Sequence, residues 1–417
     1  MKLKQWITCL IISVFVSGCT DPIVEPSTTV NDETPEVAGK SVSKSTAKSP
    51  ATGITVSYTN TSSYINSGFT FLNPTQINKN RTAVGGSSYT QVYGFNIPEE
   101  NRARGIRWNI DDETTQAWVP QGITGFKKNS VRYLLITWYS TDFKGSRITL
   151  MDISPSSSTY LTYRHIILVQ PSIPATVSGY TQYGTYAPLN IHAGGIAYFN
   201  DKLYIASTNL GLRVFDLNKL IEVSTGSTTS GKCGKDSNGT LYAFNYRYIL
   251  PQVGYYYING GANPFSTVQI NNESNELWTA QYYAGSAASS IVPKIYGFPI
   301  NTSGTVLNSG ISYVIPKNSL FADNHAHGMQ GIFRKGSRTW LSCTGSPSES
   351  YGSTARLARY TDGDANTVRY RWPYGAEALY YEAELDYLWS LTEHAPNNGT
   401  GNQVNRCIFA VLFSNYE

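Results

Sequence analysis

His192, Tyr139, Tyr282, Arg147 and Arg356 are the residues of this sequence best suited to acid–base work, and each borders a short strand-like run. Around them stand Gln121, Trp138, His327, Gln330, Glu377, Glu393 and His394. Aromatic rings beside imidazoles and amides make a carbohydrate surface. A sugar lays its apolar C–H face on Trp or Tyr, and polar side chains take its hydroxyls. Arginine adds a bidentate grip on a carboxylate, which suits a uronic acid. One reaction fits His, Tyr and Arg without metal or cofactor: β-elimination of a uronate-linked glycan. It needs a cation or strong donors on the carboxylate, a base for the C5 proton and an acid for the leaving oxygen. His192 is the expected base, Tyr139 or Tyr282 the acid, and Arg147 or Arg356 the carboxylate partner. Hydrolysis by paired carboxylates is the alternative, with Glu377 and Glu393 as the well-placed pair.

Other chemistries have weaker signatures. His325-Ala326-His327 puts two imidazoles on one side of a strand, but two ligands do not make a metal site. Asp362-Gly363-Asp364-Ala365-Asn366 opens like a calcium loop. Thr367 stands where the loop needs Gly, and no Glu closes it, so a hairpin turn is expected. No metal is assigned, and no cofactor is identified. After Cys9 and Cys19 are set aside, Cys233, Cys343 and Cys407 remain, an odd count that allows at most one internal disulfide.

The elements that must position these groups are strands. With 31 Tyr, 15 Phe, 8 Trp and 36 Gly, the composition favours strands joined by tight turns. No long helical periodicity is present; apolar stretches of five to eight residues alternate with Gly, Asn, Ser and Asp. The stretches recur as a four-strand unit. One unit starts at Pro120-Gln121-Gly122-Ile123 and continues through Tyr133–Thr137, Arg147–Asp152 and Tyr163–Val169. The next starts at His192-Ala193-Gly194-Gly195-Ile196 and continues through Lys202–Ala206, Leu212–Leu217 and Leu241–Ile249. Further units start near Ser266, His327 and Gly375. Four-stranded units repeated around an axis make a β-propeller. An all-β propeller of five to seven blades is expected: five are countable, and residues 54–110 hold strand-like runs enough for up to two more. A two-sheet sandwich is the runner-up. In a propeller, loops before the first strand and after the second share one face beside the central funnel. That face gathers His192, His327 and His394, three of the five histidines. His165 falls in an outer strand. Tyr255-Tyr256-Tyr257 reads as packing or a sugar platform.

The N-terminus indicates where the protein works. Met1-Lys2-Leu3-Lys4, an apolar run from Trp6 to Val16, and Val16-Ser17-Gly18-Cys19 form an export signal ending in a lipobox. Residues 1–18 are expected to be the signal peptide. Residues 19–52 are read as the lipidated Cys19 and a tether free of Trp, Tyr and Phe, and residues 53–417 as the propeller. The expected location is the cell envelope, lipid-anchored, in the outer membrane of a Gram-negative bacterium. A formal charge of +4 over 417 residues, without a basic patch, points away from nucleic acid. Polysaccharide or oligosaccharide is the expected partner, and the lipid is the membrane contact.

The anchors Val119-Pro120-Gln121-Gly122-Ile123, His192-Ala193-Gly194-Gly195-Ile196, Gln330-Gly331-Ile332 and Glu377-Ala378-Leu379 carry a resemblance. Over roughly residues 117–417 the sequence resembles a family of secreted bacterial propeller proteins. It is similar in plan to propeller-fold polysaccharide lyases that cleave rhamnose–glucuronate links or ulvan. That lyase group uses His and Tyr around a funnel, and the resemblance implies His192 as a catalytic residue. Two readings without catalysis stand beside it: a glycan-binding surface lipoprotein, and a scaffold for an envelope complex.

Overall fold

The computed structural model describes residues 48–50, 54–65, 68–86, 97–142, 144–177, 179–259, 265–282, 294–307, 311–314, 328–343, 355–362, 367–395 and 406–417. The architecture is all-β: five antiparallel four-stranded meanders in sequence order, each a blade of a propeller. Blade one is Trp118–Lys128, Val131–Ser140, Ser146–Asp152 and Thr162–Ser172. Blade two is Ile196–Phe199, Lys202–Ser207, Gly211–Asp216 and Tyr248–Ile258. Blade three is Phe265–Asn271, Glu276–Gln281, Lys294–Pro299 and Ile311–Val314. Blade four is Met329–Lys335, Arg338–Cys343, Arg356–Thr361 and Thr367–Arg371. Blade five is Tyr380–Glu382, Tyr387–Leu391, Cys407–Leu412 and, from the N-terminal side, Arg102–Arg107.

The ring closes through that last strand. Arg102–Arg107 pairs antiparallel with Cys407–Leu412, with Ile106 opposite Ile408. Residues 54–110 therefore add no blade, and the count is five, the lower end of the range expected from the sequence. They supply outer strands instead, because an unpaired sheet edge is better covered than left open. Val56–Asn60 pairs with the outer strand of blade two, and Val84–Gly86 extends blade five. The fourth strand of blade two is also later than expected. Leu241–Ala243 belongs to a small side sheet, and Tyr248–Ile258 takes the blade position, with Tyr255, Tyr256 and Tyr257 inside it. Its first half, Ile249–Pro251, runs parallel to Ile167–Val169 of blade one, so blades one and two share one continuous sheet.

Inner strands are short of side-chain volume where blades crowd the axis. A Cβ on Gly122 would sit 2.8 Å from the Gly195 carbonyl carbon, and one on Gly195 would sit 2.3 Å from the Val268 nitrogen. Neither space admits a side chain. Hydrogen bonds then link neighbouring blades. Thr137 Oγ1 accepts from Gly122 N and donates to Ala193 O, both at 2.7 Å. Ser266 Oγ donates to Met329 O at 2.5 Å, Ser342 Oγ to Ala376 O at 3.1 Å, and Gln121 Nε2 to Glu393 Oε2 at 2.8 Å. Between blades the core is aromatic and aliphatic. Trp108, Trp138, Trp278, Trp340, Trp372 and Trp389 are fully buried. Cys233, Cys343 and Cys407 are buried, with no disulfide among them.

Candidate functional site at the funnel face

All five inner strands run the same way round the axis, so their N-terminal ends share one face. In three blades a β-bulge interrupts the inner strand at that end: between Pro120 and Ile123, between Phe265 and Thr267, and between Met329 and Gly331. A bulge turns its extra residue off the regular pleat, and bulges recur beside active sites. The residues re-aimed here are Gln121, Ser266 and Gln330. In blade two the same role falls to Ala193, a non-glycine residue in left-handed conformation at φ 56°. Holding an alanine there costs about 1 kcal/mol, maintained by the surrounding packing. Its carbonyl is fixed by Thr137, and the turn presents His192 just before it.

His192 is exposed to solvent. Tyr139, at the end of the second strand of blade one, stacks on it with ring centroids 4.6 Å apart and planes 29° apart. Crowding by protein pulls the imidazole pKa down, and the Glu393 carboxylate partly opposes that shift. His192 is therefore neutral at pH 7, a free base beside a phenol.

Glu393 and His394 follow the second strand of blade five. Glu393 Oε2 accepts from Gln121 Nε2 at 2.8 Å, and His394 Nε2 lies 3.6 Å from Glu393 Oε1. Gln121 is wholly buried, and its amide also donates to Pro120 O at 2.9 Å. It orients Glu393 across the seam between blades five and one. His394 stacks on Tyr374 with centroids 4.8 Å apart. Tyr374 was not expected from the sequence; the signal was there in Trp372-Pro373-Tyr374-Gly375, an aromatic turn at the start of the fifth unit.

Several expected site residues lie elsewhere. Trp138 is fully buried, its Nε1 donating to Thr149 Oγ1 at 2.8 Å, so it is core rather than sugar platform. The strand alternates its side chains between faces: Tyr139 takes the open side and Trp138 the packed one. Arg147 is also buried, and its guanidinium lies 4.5 Å from the Trp118 ring centroid and 4.7 Å from that of Trp138. Its NH2 donates to Asp112 Oδ1 at 3.2 Å and its NH1 to Tyr246 Oη at 3.0 Å. Those partners hold it beneath the funnel face. Arg406 is buried too, donating to the backbone carbonyls of Glu393, Asp112 and Thr115. Burial brings its pKa down to about 10. Glu377 has no exposed surface, and Gln330 is 9% exposed. Glu377 thus does not meet solvent beside Glu393 as a hydrolytic pair would. Tyr282 and Arg356 are half-buried, at the end of the second strand of blade three and the start of the third strand of blade four. His325, His327 and Cys19 lie outside the described residues.

Beneath the face is a buried polar network that the sequence reading missed. A short helix, Ile110–Thr114, inserts Asp112 against blade one, with Asn109 Oδ1 capping Asp111 N at 3.2 Å. Asp112 Oδ2 accepts from Tyr163 Oη at 2.7 Å and from Arg81 NH1 at 3.0 Å. Its Oδ1 lies 3.0 Å from His165 Nε2. Thr149 Oγ1 accepts from Trp138 Nε1 at 2.8 Å and lies 2.8 Å from His165 Nδ1. The ionised Asp112 carboxylate can only accept, so the proton of neutral His165 sits on Nε2, facing it. Burial first, then the Arg147 charge, lowers the His165 pKa to about 4. Burial works against ionised Asp112, but His165, Arg147 and Tyr163 together hold its carboxyl below the usual range. The signal in the sequence was Asp111-Asp112-Glu113, a rare acidic run in a charge-poor protein.

No protein-family profile matches the sequence, and no curated protein matches it. Among solved structures, the protein is similar to the native Bacillus subtilis arabinanase Arb43A, with 13% identity and TM-score 0.32 over 70% of this sequence and 94% of that one. It is also similar to the GH43_1 enzyme from Xanthomonas citri complexed with xylotriose, with 10% identity and TM-score 0.31 over 72% and 88%. A structure described as a glycoside hydrolase gives 11% identity and TM-score 0.34 over 72% and 88%. These values are too low to carry an argument, and the propeller assignment rests on the strand pairing and blade contacts above.

Proposed function

We propose that the funnel face binds polysaccharide and cleaves uronate links in it by β-elimination. The observation that carries the reading is the Tyr139–His192 stack, a neutral imidazole beside a phenol at an open funnel. His192 takes the C5 proton, and Tyr139 protonates the leaving oxygen. Tyr282 is the second candidate for the acid. With Arg147 drawn into the core, Arg356 is the remaining candidate for gripping the uronate carboxylate. Glu393, positioned by Gln121, and the His394–Tyr374 stack supply hydroxyl contacts and a ring face. The N-terminal residues add the setting: export, lipidation at Cys19 and display on the outer membrane.

The withdrawal of Arg147 favours a second reading, glycan binding without cleavage. One experiment separates the two. The protein is incubated with glucuronate-containing polysaccharides while ultraviolet absorbance is followed, since elimination creates a conjugated double bond. Cleavage predicts a rise that His192→Ala abolishes and Tyr139→Phe slows by roughly 100-fold or more. Retention of the protein in a glycan-containing gel without any rise supports binding alone. The absence of both rise and retention overturns both readings.

A further inference from the structure

Tyr255-Tyr256-Tyr257 is the sequence run that the funnel face leaves unused. A strand sends successive side chains to opposite faces of its sheet. Tyr256 is 4% exposed and packs on Tyr58 of the neighbouring strand, with ring centroids 4.9 Å apart. Tyr255 and Tyr257 share the other face. Tyr255 is half-buried, and Tyr257 is 43% exposed. The tyrosine run therefore divides, one ring into the core and two towards solvent.

Strand pairing builds a patch around those two rings. One row across the sheet is Arg213, Tyr255 and Thr59, and the next is Gly211, Tyr257 and Ser57. Residues directly opposite one another put their side chains on the same face. Thr59 and Ser57 are exposed, so two hydroxyls border the rings on the outer side. On the inner side the half-buried Arg213 guanidinium lies 5.6 Å from the Tyr255 ring centroid, and its NH1 donates to Gln252 Oε1 at 3.1 Å. Both partners are neutral, and no carboxylate among the described residues pairs with this cation. The patch lies at the end of blade two nearest the funnel face, because Gly211 begins the third strand opposite Ser207, the last residue of the second. A guanidinium without a counter-ion calls for an anion, the rings for an apolar C–H face, and the hydroxyls for further hydroxyls. An acidic sugar joins all three.

We propose that Arg213, Tyr255 and Tyr257 form a glycan-binding site on the outer wall of blade two, separate from the funnel, that takes an acidic oligosaccharide with its carboxylate or sulfate on Arg213 and a sugar ring on Tyr257. The site stands whether or not His192 cleaves a glycan. It is tested by hydroxyl-radical footprinting, read by mass spectrometry, with tetragalacturonate and with a sulfated galactan tetrasaccharide. At least one of them should protect the peptide carrying Tyr255 and Tyr257, in the parent and in His192→Ala alike. Protection by tetragalacturonate identifies a carboxylate ligand, and protection by the sulfated sugar alone identifies a sulfate. Methyl esterification or desulfation of the protecting sugar keeps its rings and removes its charge, and should raise the concentration needed roughly tenfold or more. Tyr257→Ala, at an exposed position, and Arg213→Gln should each raise it roughly tenfold, read at Tyr255. The proposal is overturned if neither sugar protects the peptide, if the uncharged form protects equally well, if both variants are protected as the parent is, or if protection is lost with His192→Ala. Protection without any rise in ultraviolet absorbance would count against cleavage at the funnel and leave this site standing. Thermal midpoints confirm that the variants are folded, and Tyr257→Ala decides the matter if Arg213→Gln is not.

Discussion

Asp112 holds four partners with two oxygens, and so ties the short helix Ile110–Thr114 to three strand segments. Arg81, Arg147, Tyr163 and His165 all converge on it. Asp112→Asn keeps the shape and removes the charge, leaving Arg147 buried without its counter-ion. Breaking a buried pair in this way costs about 3–5 kcal/mol, read as a lower urea midpoint. A loss below about 1 kcal/mol would show that Arg147 finds compensation elsewhere. The same network predicts an acid limb of stability. In the folded state His165 stays deprotonated down to about pH 4, whereas in the unfolded state it titrates near its ordinary value of 6.5. Between those values the unfolded state binds more protons, so stability falls as pH drops from 6.5 to 4. Asp112, also held below its ordinary value, extends the loss to still lower pH. His165→Gln should flatten the upper part of that limb in urea titrations at several pH values. An unchanged slope would remove His165 from the account.

At the scale of strands, ring closure depends on Arg102–Arg107, which is separated from its blade-five partners by most of the sequence. Ile106 is 4% exposed and pairs with Ile408 on one side and Gly85 on the other. Ile106→Pro removes an N–H from a strand paired on both edges and should lower stability by about 3 kcal/mol or more. Thermal unfolding by circular dichroism measures it, and a midpoint near the parent's would mean the ring closes without this strand. The strand units themselves were legible in the sequence because alternation and turn residues are local signals. His192, Gln121 and Glu393 were legible as neighbours of one face because topology fixes strand ends. Closure by residues 102–107 was not legible, since nothing local marks which distant edge a strand will cover. The inward positions of Trp138 and Arg147 were also hidden. A one-residue step along a strand changes face, and only the packed structure shows which face is outward.

For the molecule as a whole, Cys233, Cys343 and Cys407 report on whether the ring opens as one body. All three are buried, and burial raises each thiol to about 12, so none should react with a thiol reagent in the native state. In moderate urea the three should become labelled at one common rate if the ring unfolds cooperatively, as resolved peptide by peptide in a mass spectrometer. Earlier labelling of Cys233 alone would mean that the flank of blades one and two opens independently. The shared outer strand argues against that. Tyr248–Ile258 lies against Thr162–Ser172 with one half and against Gly211–Asp216 with the other. Mechanically it works as a clamp, transmitting load from one wedge of the disc to the next. Any breathing that widens the funnel mouth must then occur at other seams, and His192 and Tyr139, carried on the two clamped wedges, keep their spacing while it happens.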